Sequence, residues 1–100
     1  MINIGLYYKV KEGHESEFEE RFNAAVSAIK EAGFGCTDAR LYKEVSNPSE
    51  YMLYTDWEDT DGFRKFMQSD AYKQTVEAGK EIIEGHPKHR IFTENTEQKM

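Results

Sequence analysis

The side chains of this chain best suited to chemistry are phenols. Tyr8, Tyr51, Tyr54 and Tyr72 each carry an O–H that can donate to the oxygen of a bound carbonyl or quinone. Donors aimed at an oxygen where negative charge develops stabilise an enolate, and a substrate carbanion held in that way can react with dioxygen without a metal. The competing use of the same side chains is amphipathic packing at sheet and subunit surfaces. Trp57 offers a flat face for stacking on a ligand, or a large ring for a core with its N–H on one acceptor. His86 and His89, in the run His-Pro-Lys-His, have pKa values suited to acid–base work near neutrality. Pro87 and the strand that follows splay them apart, and no Cys or carboxylate stands nearby at metal-ligand spacing, so they read as loop histidines. His14 and the carboxylates from Glu15 to Glu20 read as a solvated helix start. Asp38 and Arg40 share a strand parity and can pair. Cys36 reads as a small buried residue, with no assignable base to activate it and no second Cys for an internal disulfide. No Gly-rich phosphate loop, Ser-His-Asp ordering or metal signature occurs. The residues therefore assign no catalytic group, no metal and no cofactor.

The elements that must position these groups follow from periodicity. Ile2, Ile4, Leu6, Tyr8 and Val10 alternate with polar or small residues, which predicts a strand with one apolar face. From His14 to Ala32 the period lengthens: Phe18, Phe22, Ala25, Val26 and Ile29 share a helix face, acidic residues crowd the start and Lys30 sits near the end. Phe34 to Ser46 reads as a bent strand with apolar residues on both parities. The Asn47-Pro48-Ser49 turn leads to a third strand over Tyr51–Trp57, with Tyr51, Leu53, Thr55 and Trp57 on one face. Asp59 or Thr60 can cap a second helix whose stripe is Phe63, Phe66 and Met67. Ser69-Asp70 marks a break and a new cap, after which Tyr72, Thr75, Val76, Gly79 and Ile83 continue the apolar side. Gly85-His86-Pro87 stops it, and Lys88–Thr93 is the last strand. The domain is expected over residues 1–94, with 95–100 as a frayed polar tail.

The order βαββαβ with right-handed crossovers gives an antiparallel four-stranded sheet with the helices on one face, an α+β, ferredoxin-like arrangement. The opposite face would carry Gly5, Tyr7, Met52 and Tyr54, too apolar to leave in water, and a second copy of the chain is the simplest cover. One hundred residues suffice for one domain. A formal net charge of -6 without a Lys or Arg run argues against nucleic-acid binding. No apolar run approaches the ~20 residues that cross a bilayer, so no membrane partner is expected. Residues 1–10 lack the features of a signal peptide, and cytoplasm is the expected location.

The stretch from Gly33 to Glu58, GFGCTDARLYKEVSNPSEYMLYTDWE, resembles the central segment of antibiotic biosynthesis monooxygenase domains. There a Gly-containing helix exit leads into a strand, an Asn-Pro or Asp-Pro turn follows, and the next strand ends in Trp and an acidic residue. The continuation DTDGFRKFMQSDAYK, Asp59 to Lys73, resembles the helix that follows that Trp. The resemblance implies a dimeric α/β barrel of two ferredoxin-like protomers with a small-molecule pocket in each, between sheet and helices. It also implies one of several activities: cofactor-independent oxygenation of quinol-like or polyketide molecules, haem degradation, or signal-molecule processing. In the haem-degrading members an Asn on the first strand, the Trp and a His on the second helix act together. Trp57 matches the Trp. The Asn position falls on Leu6, or on Tyr7 with a one-residue shift, and the His position on Val76. Other members carry His at positions matching Phe66 or Ala71. Haem ligation by the usual helical His is therefore not expected.

The helix after Trp57 must turn back over its face, so close packing is hard at that corner and a pocket is expected there. Its predicted wall is Trp57 with Leu6 and Tyr8 from the first strand and Phe63, Phe66 and Tyr72 from the helical segment. The expected function is that of a cofactor-independent monooxygenase acting on a small aromatic or quinone-like molecule. The alternatives are a non-catalytic dimeric small-molecule-binding protein of the same fold, or a haem-handling relative with altered ligation. Phe22, Val26 and Phe66 are expected in the core.

Overall fold

Strict alternation becomes two well-formed central strands. A computed structural model describes residues 1–93, so the expected domain end at 94 and the tail 95–100 lie outside the described residues. Strand β1 (Ile2–Lys9) buries Ile4, Leu6 and Tyr8, and β3 (Glu50–Trp57) buries Tyr51, Leu53, Thr55 and Trp57. They pair antiparallel with Tyr8 opposite Tyr51 and Ile2 opposite Trp57. With β2 (Cys36–Lys43) and β4 (Lys88–Thr93) they form one sheet in the order β2-β3-β1-β4, every pair antiparallel. Each βαβ half therefore has a strand of the other half between its own two, the ferredoxin-like arrangement predicted from the element order.

Helices α1 (Glu15–Glu31), α2 (Thr60–Met67) and α3 (Asp70–Gly79) cover one face of this sheet. Phe18, Phe22 and Ile29 are the buried side of α1, with Val26 packed partly against them. The break between α2 and α3 has a local cause. Asp59 caps α2 by accepting the Gly62 N–H at 2.9 Å, and Ser69 caps α3 by accepting the Tyr72 N–H at 3.3 Å. Side-chain oxygens satisfy backbone donors at both starts, so each helix begins on its own signal. Gly62 is required where α2 crosses the chain before β2: a Cβ there would overlap the Phe34 carbonyl oxygen.

Three sequence expectations change. The second strand is shorter than residues 34–46, and its two-parity pattern is resolved by a bulge between Cys36 and Asp38. An extra residue flips the side-chain alternation, so Cys36, Ala39 and Leu41 reach the covered face together. Val45, assigned to that strand, lies beyond it and is 99% exposed. Val76, assigned to the apolar side of the second helical segment, is 43% exposed, whereas Tyr72 and Thr75 of that expected face turn inward together with Ala71.

The other sheet face is left open. Its rows across β2, β3, β1 and β4 are Tyr42–Met52–Tyr7–Lys88 and Arg40–Tyr54–Gly5–Arg90. The Tyr7 ring folds over Gly5, where a Cβ would stand 3.0 Å from the Tyr7 hydroxyl. Ile91 and Phe92 on the edge strand are also exposed. Among the described residues no helix is long and apolar enough to cross a membrane.

Candidate functional site

The covered face carries two aromatic clusters at opposite ends of the same strands. Tyr51, opposite Tyr8, and Trp57, opposite Ile2, stand six positions apart on β3, which at strand rise is about 20 Å. At the first end Tyr8 meets Phe22 edge-on at 5.0 Å between centroids and Phe18 at 5.6 Å, and Phe18 packs on Tyr51 at 4.5 Å. At the second, Trp57 meets Phe63 at 5.5 Å and Phe66 at 5.6 Å, and Phe66 meets Tyr72 at 5.5 Å.

The six residues predicted to line a pocket are thus distributed. Trp57, Phe63, Phe66 and Tyr72 form one continuous set, Tyr8 belongs to the other end, and Leu6 lies on the strand between them. Burial is the main cause of the rise in the Tyr8 pKa, and the Tyr72 phenol adds to it. In this structure the layer is closed: Trp57 is 1% exposed and Tyr8 7%.

The polar groups at the two ends differ. The Trp57 indole N–H donates to the Thr55 hydroxyl at 2.7 Å, and that hydroxyl donates to the Ile4 carbonyl at 2.7 Å. Thr55 is the polar side chain buried in the core, at 0% exposure. The Tyr8 hydroxyl, by contrast, has no hydrogen-bond partner among the described residues. Among those residues no side-chain polar atom is both sealed and unpartnered, so the Tyr8 oxygen keeps some accessible surface. Burial raises its pKa well above the ordinary tyrosine value, which keeps it a protonated donor at neutral pH.

Beside Tyr8, Tyr51 donates to Glu19 at 2.5 Å, and Lys43 pairs with the same carboxylate oxygen at 2.8 Å. Burial, then the Glu19 hydrogen bond, push Tyr51 up to about 12. Lys43 and then Tyr51 hold Glu19 below the usual carboxylate range. Sequence reasoning left this triad and Thr55 unassigned, although Thr55 had a visible signal as a hydroxyl on an otherwise apolar strand parity, two residues from Trp57.

The remaining candidates sit apart. His14 bonds Glu17 at 3.1 Å on the exposed start of α1, and the His89 ring lies 5.8 Å from Phe63. Asp38 and Arg40 do pair, at 3.0 Å, on the open face. The Cys36 thiol donates to the Asp38 carbonyl at 3.2 Å, and burial raises its pKa to about 11, so it is not a ready thiolate. Among the described residues no group of three or more His, Cys, Asp or Glu side chains is placed to hold a metal.

Two of the surface cavities are lined in part by residues of the layer. A cleft of about 600 Å³ lies at the end of the sheet where Tyr7, Tyr42, Met52 and Lys88 form a row, with His86 on its wall. Tyr8 is the one predicted pocket residue that borders it. A groove of about 210 Å³ runs between α1 and α3, lined by Ala25, Ala28, Ala71 and Thr75 with Phe22 among its walls. Trp57 borders neither.

Comparison with known proteins bears on this arrangement. The family model described as antibiotic biosynthesis monooxygenase matches residues 1–78. A solved structure from Bordetella bronchiseptica, provisionally named as such a monooxygenase, superposes with a TM-score of 0.84 at 24% identity, covering 93% of this chain and 95% of that one. A conserved protein from Methanosarcina mazei gives 0.82 at 21% identity, covering 91% and 89%. Curated relatives from Natronomonas pharaonis and Halobacterium salinarum, provisionally named heme-binding proteins, are each 26% identical over 86 residues. That match takes in 86% of this chain but only 14% and 17% of theirs, so the chain spans about a sixth or less of the relatives' length.

Proposed function

Because the chain belongs to the antibiotic biosynthesis monooxygenase family, we propose that it acts as a cofactor-independent monooxygenase on a small aromatic or quinone-like molecule. The ligand is held between sheet and helices, over Leu6 and between the two aromatic ends. The observation that carries the proposal is the Tyr8 phenol, a protonated donor in an apolar layer without a protein acceptor among the described residues. A ligand oxygen would supply the missing acceptor. A substrate ionised in solution before it enters carries negative charge on that oxygen, and Tyr8, with Tyr72 as second phenol, stabilises it. Trp57, Phe63 and Phe66 supply a flat apolar wall and exclude water. Helix α3 is the thinnest cover of this layer, its described inward side chains being only half-buried, and entry is proposed there.

The open sheet face is proposed to pair with a second copy, burying at least the ~800 Å² per subunit of a standard interface, with the protein at work in the cytoplasm. The test is titration of the parent with 2-naphthol and 1,4-naphthoquinone, read by quenching of Trp57, the chain's one Trp, followed by oxygen uptake with anthrone. Saturable quenching and oxygen uptake, both reduced in Tyr8→Phe, are expected. Absence of any binding across such probes overturns the proposal.

The names of the curated relatives favour haem binding as a second reading. The residues do not fit it by helical histidine. Val76 stands on the surface, Phe66 and Ala71 face the layer, and none of the three can ligate iron. Haemin titration is expected to give no Soret shift typical of His ligation. A tight one-to-one complex lost on changing His86 or His89 would establish the second reading instead.

A further inference from the structure

On the open sheet face, donors from β1 and β4 share one patch and lack acceptors. Lys88 and Arg90 stand two residues apart on β4, so their side chains lie on the same face. Register puts Tyr7 opposite Lys88 and Gly5 opposite Arg90. Because Gly5 has no side chain, the Tyr7 ring lies back over it, and a Cβ there would stand 3.0 Å from the Tyr7 hydroxyl. The phenol is thereby drawn from its own row toward the row of Arg90. The Arg90 guanidinium lies over the Phe92 ring, 5.8 Å from its centroid. That contact steadies the guanidinium plane and leaves N–H groups at its edge free to donate. Among the described residues neither Lys88 nor Arg90 has a carboxylate partner, and the Tyr7 hydroxyl has no hydrogen-bond partner. Asp38 and Asp56, in the row beyond, are engaged by Arg40 and by Asn3. A surface cavity of about 630 Å³ lies here, lined by Tyr7, Pro87, Lys88, His89 and Arg90. Its described lining holds no acidic residue, although the chain carries a formal net charge of -6.

We propose that Tyr7, Lys88 and Arg90 form a binding site for a flat organic carboxylate. The guanidinium offers paired N–H groups that match the two oxygens of a carboxylate. The Lys88 ammonium and the Tyr7 hydroxyl donate to the lone pairs that remain. The cavity falls in the range of small-molecule sites, about 300–1,000 Å³, and exceeds what an inorganic ion needs. The Tyr7 and Pro87 rings give an apolar ligand body a surface to lie on. Gly5 is a positioning residue: it bonds nothing, and its missing Cβ decides where the Tyr7 hydroxyl stands. The site is on the opposite sheet face from the aromatic layer and does not depend on the monooxygenase reading. The open face is also where a second copy is proposed to pack, so a carboxylate of that copy is the competing occupant.

The test is calorimetric titration of the parent with 2-naphthoate and with 2-naphthamide, its uncharged counterpart. 2-Naphthoate should bind about tenfold or more tightly than the amide, since charge-assisted hydrogen bonds are roughly twice as strong as neutral ones. Its affinity should fall as salt is raised. Arg90→Met should weaken 2-naphthoate about tenfold, and Lys88→Met by a smaller factor. Gly5→Ala removes no donor, yet it should weaken binding as much as Tyr7→Phe does, and the double variant should lose no more than either alone. Tyr7, Lys88 and Arg90 are exposed or half-buried, so their variants should keep the parent's melting temperature. Quenching of Trp57 by 2-naphthol should be the same in the parent and in Arg90→Met, which keeps the two sheet faces separately readable. Equal affinities for 2-naphthoate and 2-naphthamide, or an unchanged affinity in Arg90→Met, would overturn the site. Inorganic phosphate binding as tightly as 2-naphthoate would overturn the preference for a flat carboxylate. Failure of 2-naphthoate to bind would also overturn the site, and a sedimenting dimer that Arg90→Met turns into monomer would then assign these donors to the second copy.

Discussion

The two ends of the helix-covered sheet face are built from the same kinds of residue and reach opposite polar outcomes. Around Trp57, Phe63 and Phe66 the one indole N–H is consumed inside the sheet by Thr55. Around Tyr8, Phe18 and Phe22 the phenol is left over, and the neighbouring Tyr51 is tied outward to Glu19 and Lys43 at the edge. Aromatic content alone therefore does not mark a site. What separates a packed core from a ligand-competent surface is whether the polar atom on the ring already has a partner.

The largest expected effect that tests this contrast is truncation at the closed end. Trp57→Ala and Phe66→Ala should each lower stability by ~3–5 kcal/mol, as large aromatic deletions in cores do. Tyr8→Phe, in contrast, should change it by less than about 1 kcal/mol because no protein hydrogen bond is lost. Chemical denaturation of the three variants decides it, and equal losses would erase the difference between the ends. Next in size, Thr55→Val should cost about 1–3 kcal/mol, the penalty for leaving the indole N–H without an acceptor. A neutral outcome in the same assay would mean that the Trp57 ring relaxes and that the closed end is not fixed by its hydroxyl relay.

The covered face can also be set against the open one. Met52→Lys places a charge in the middle of the Tyr42–Met52–Tyr7 row and should convert a sedimenting dimer to monomer at micromolar concentration. A parent that already sediments as monomer would show that the open face is not an interface.

The smallest effect is the alkaline one. Tyr51 is raised from about 10 to about 12 by burial and by Glu19. The fold therefore favours its protonated form, and this share of stability is complete below pH 10 and lost as pH rises through 12. The melting temperature should be level from pH 7 to 9 and fall above 10. Tyr51→Phe should flatten the early part of that fall, leaving the later part to Tyr8, which burial raises further. A parent and variant with superimposable profiles would remove Tyr51 from the account.

Much of this was legible in residue order. Period-two alternation in β1 and β3 gave the covered parity residue for residue, because both strands sit in the middle of the sheet and a one-residue slip would expose a whole apolar face. The α2–α3 break was visible at Ser69-Asp70, since a cap is a local hydrogen bond between near neighbours in sequence. The second strand was less legible: its bulge mixes parities, and nothing local says which residue is the extra one. Val76 was misplaced because the inward side of α3 runs through Ala71, Thr75 and Gly79, and Val76, one residue past Thr75, is turned about 100° from that line.

The sequence by itself determined the element order, the two sheet faces, the aromatic inventory and the place of the Thr55 hydroxyl on a buried parity, since each follows from spacing within a few residues. Only the tertiary structure decided that Tyr8 and Trp57, both expected in one pocket wall, stand at opposite ends of the sheet, and that the Thr55 hydroxyl spans from Trp57 to Ile4. Both facts depend on antiparallel register between segments some fifty residues apart. Register is fixed by the whole set of cross-strand contacts acting together, and no local pattern within either strand contains it.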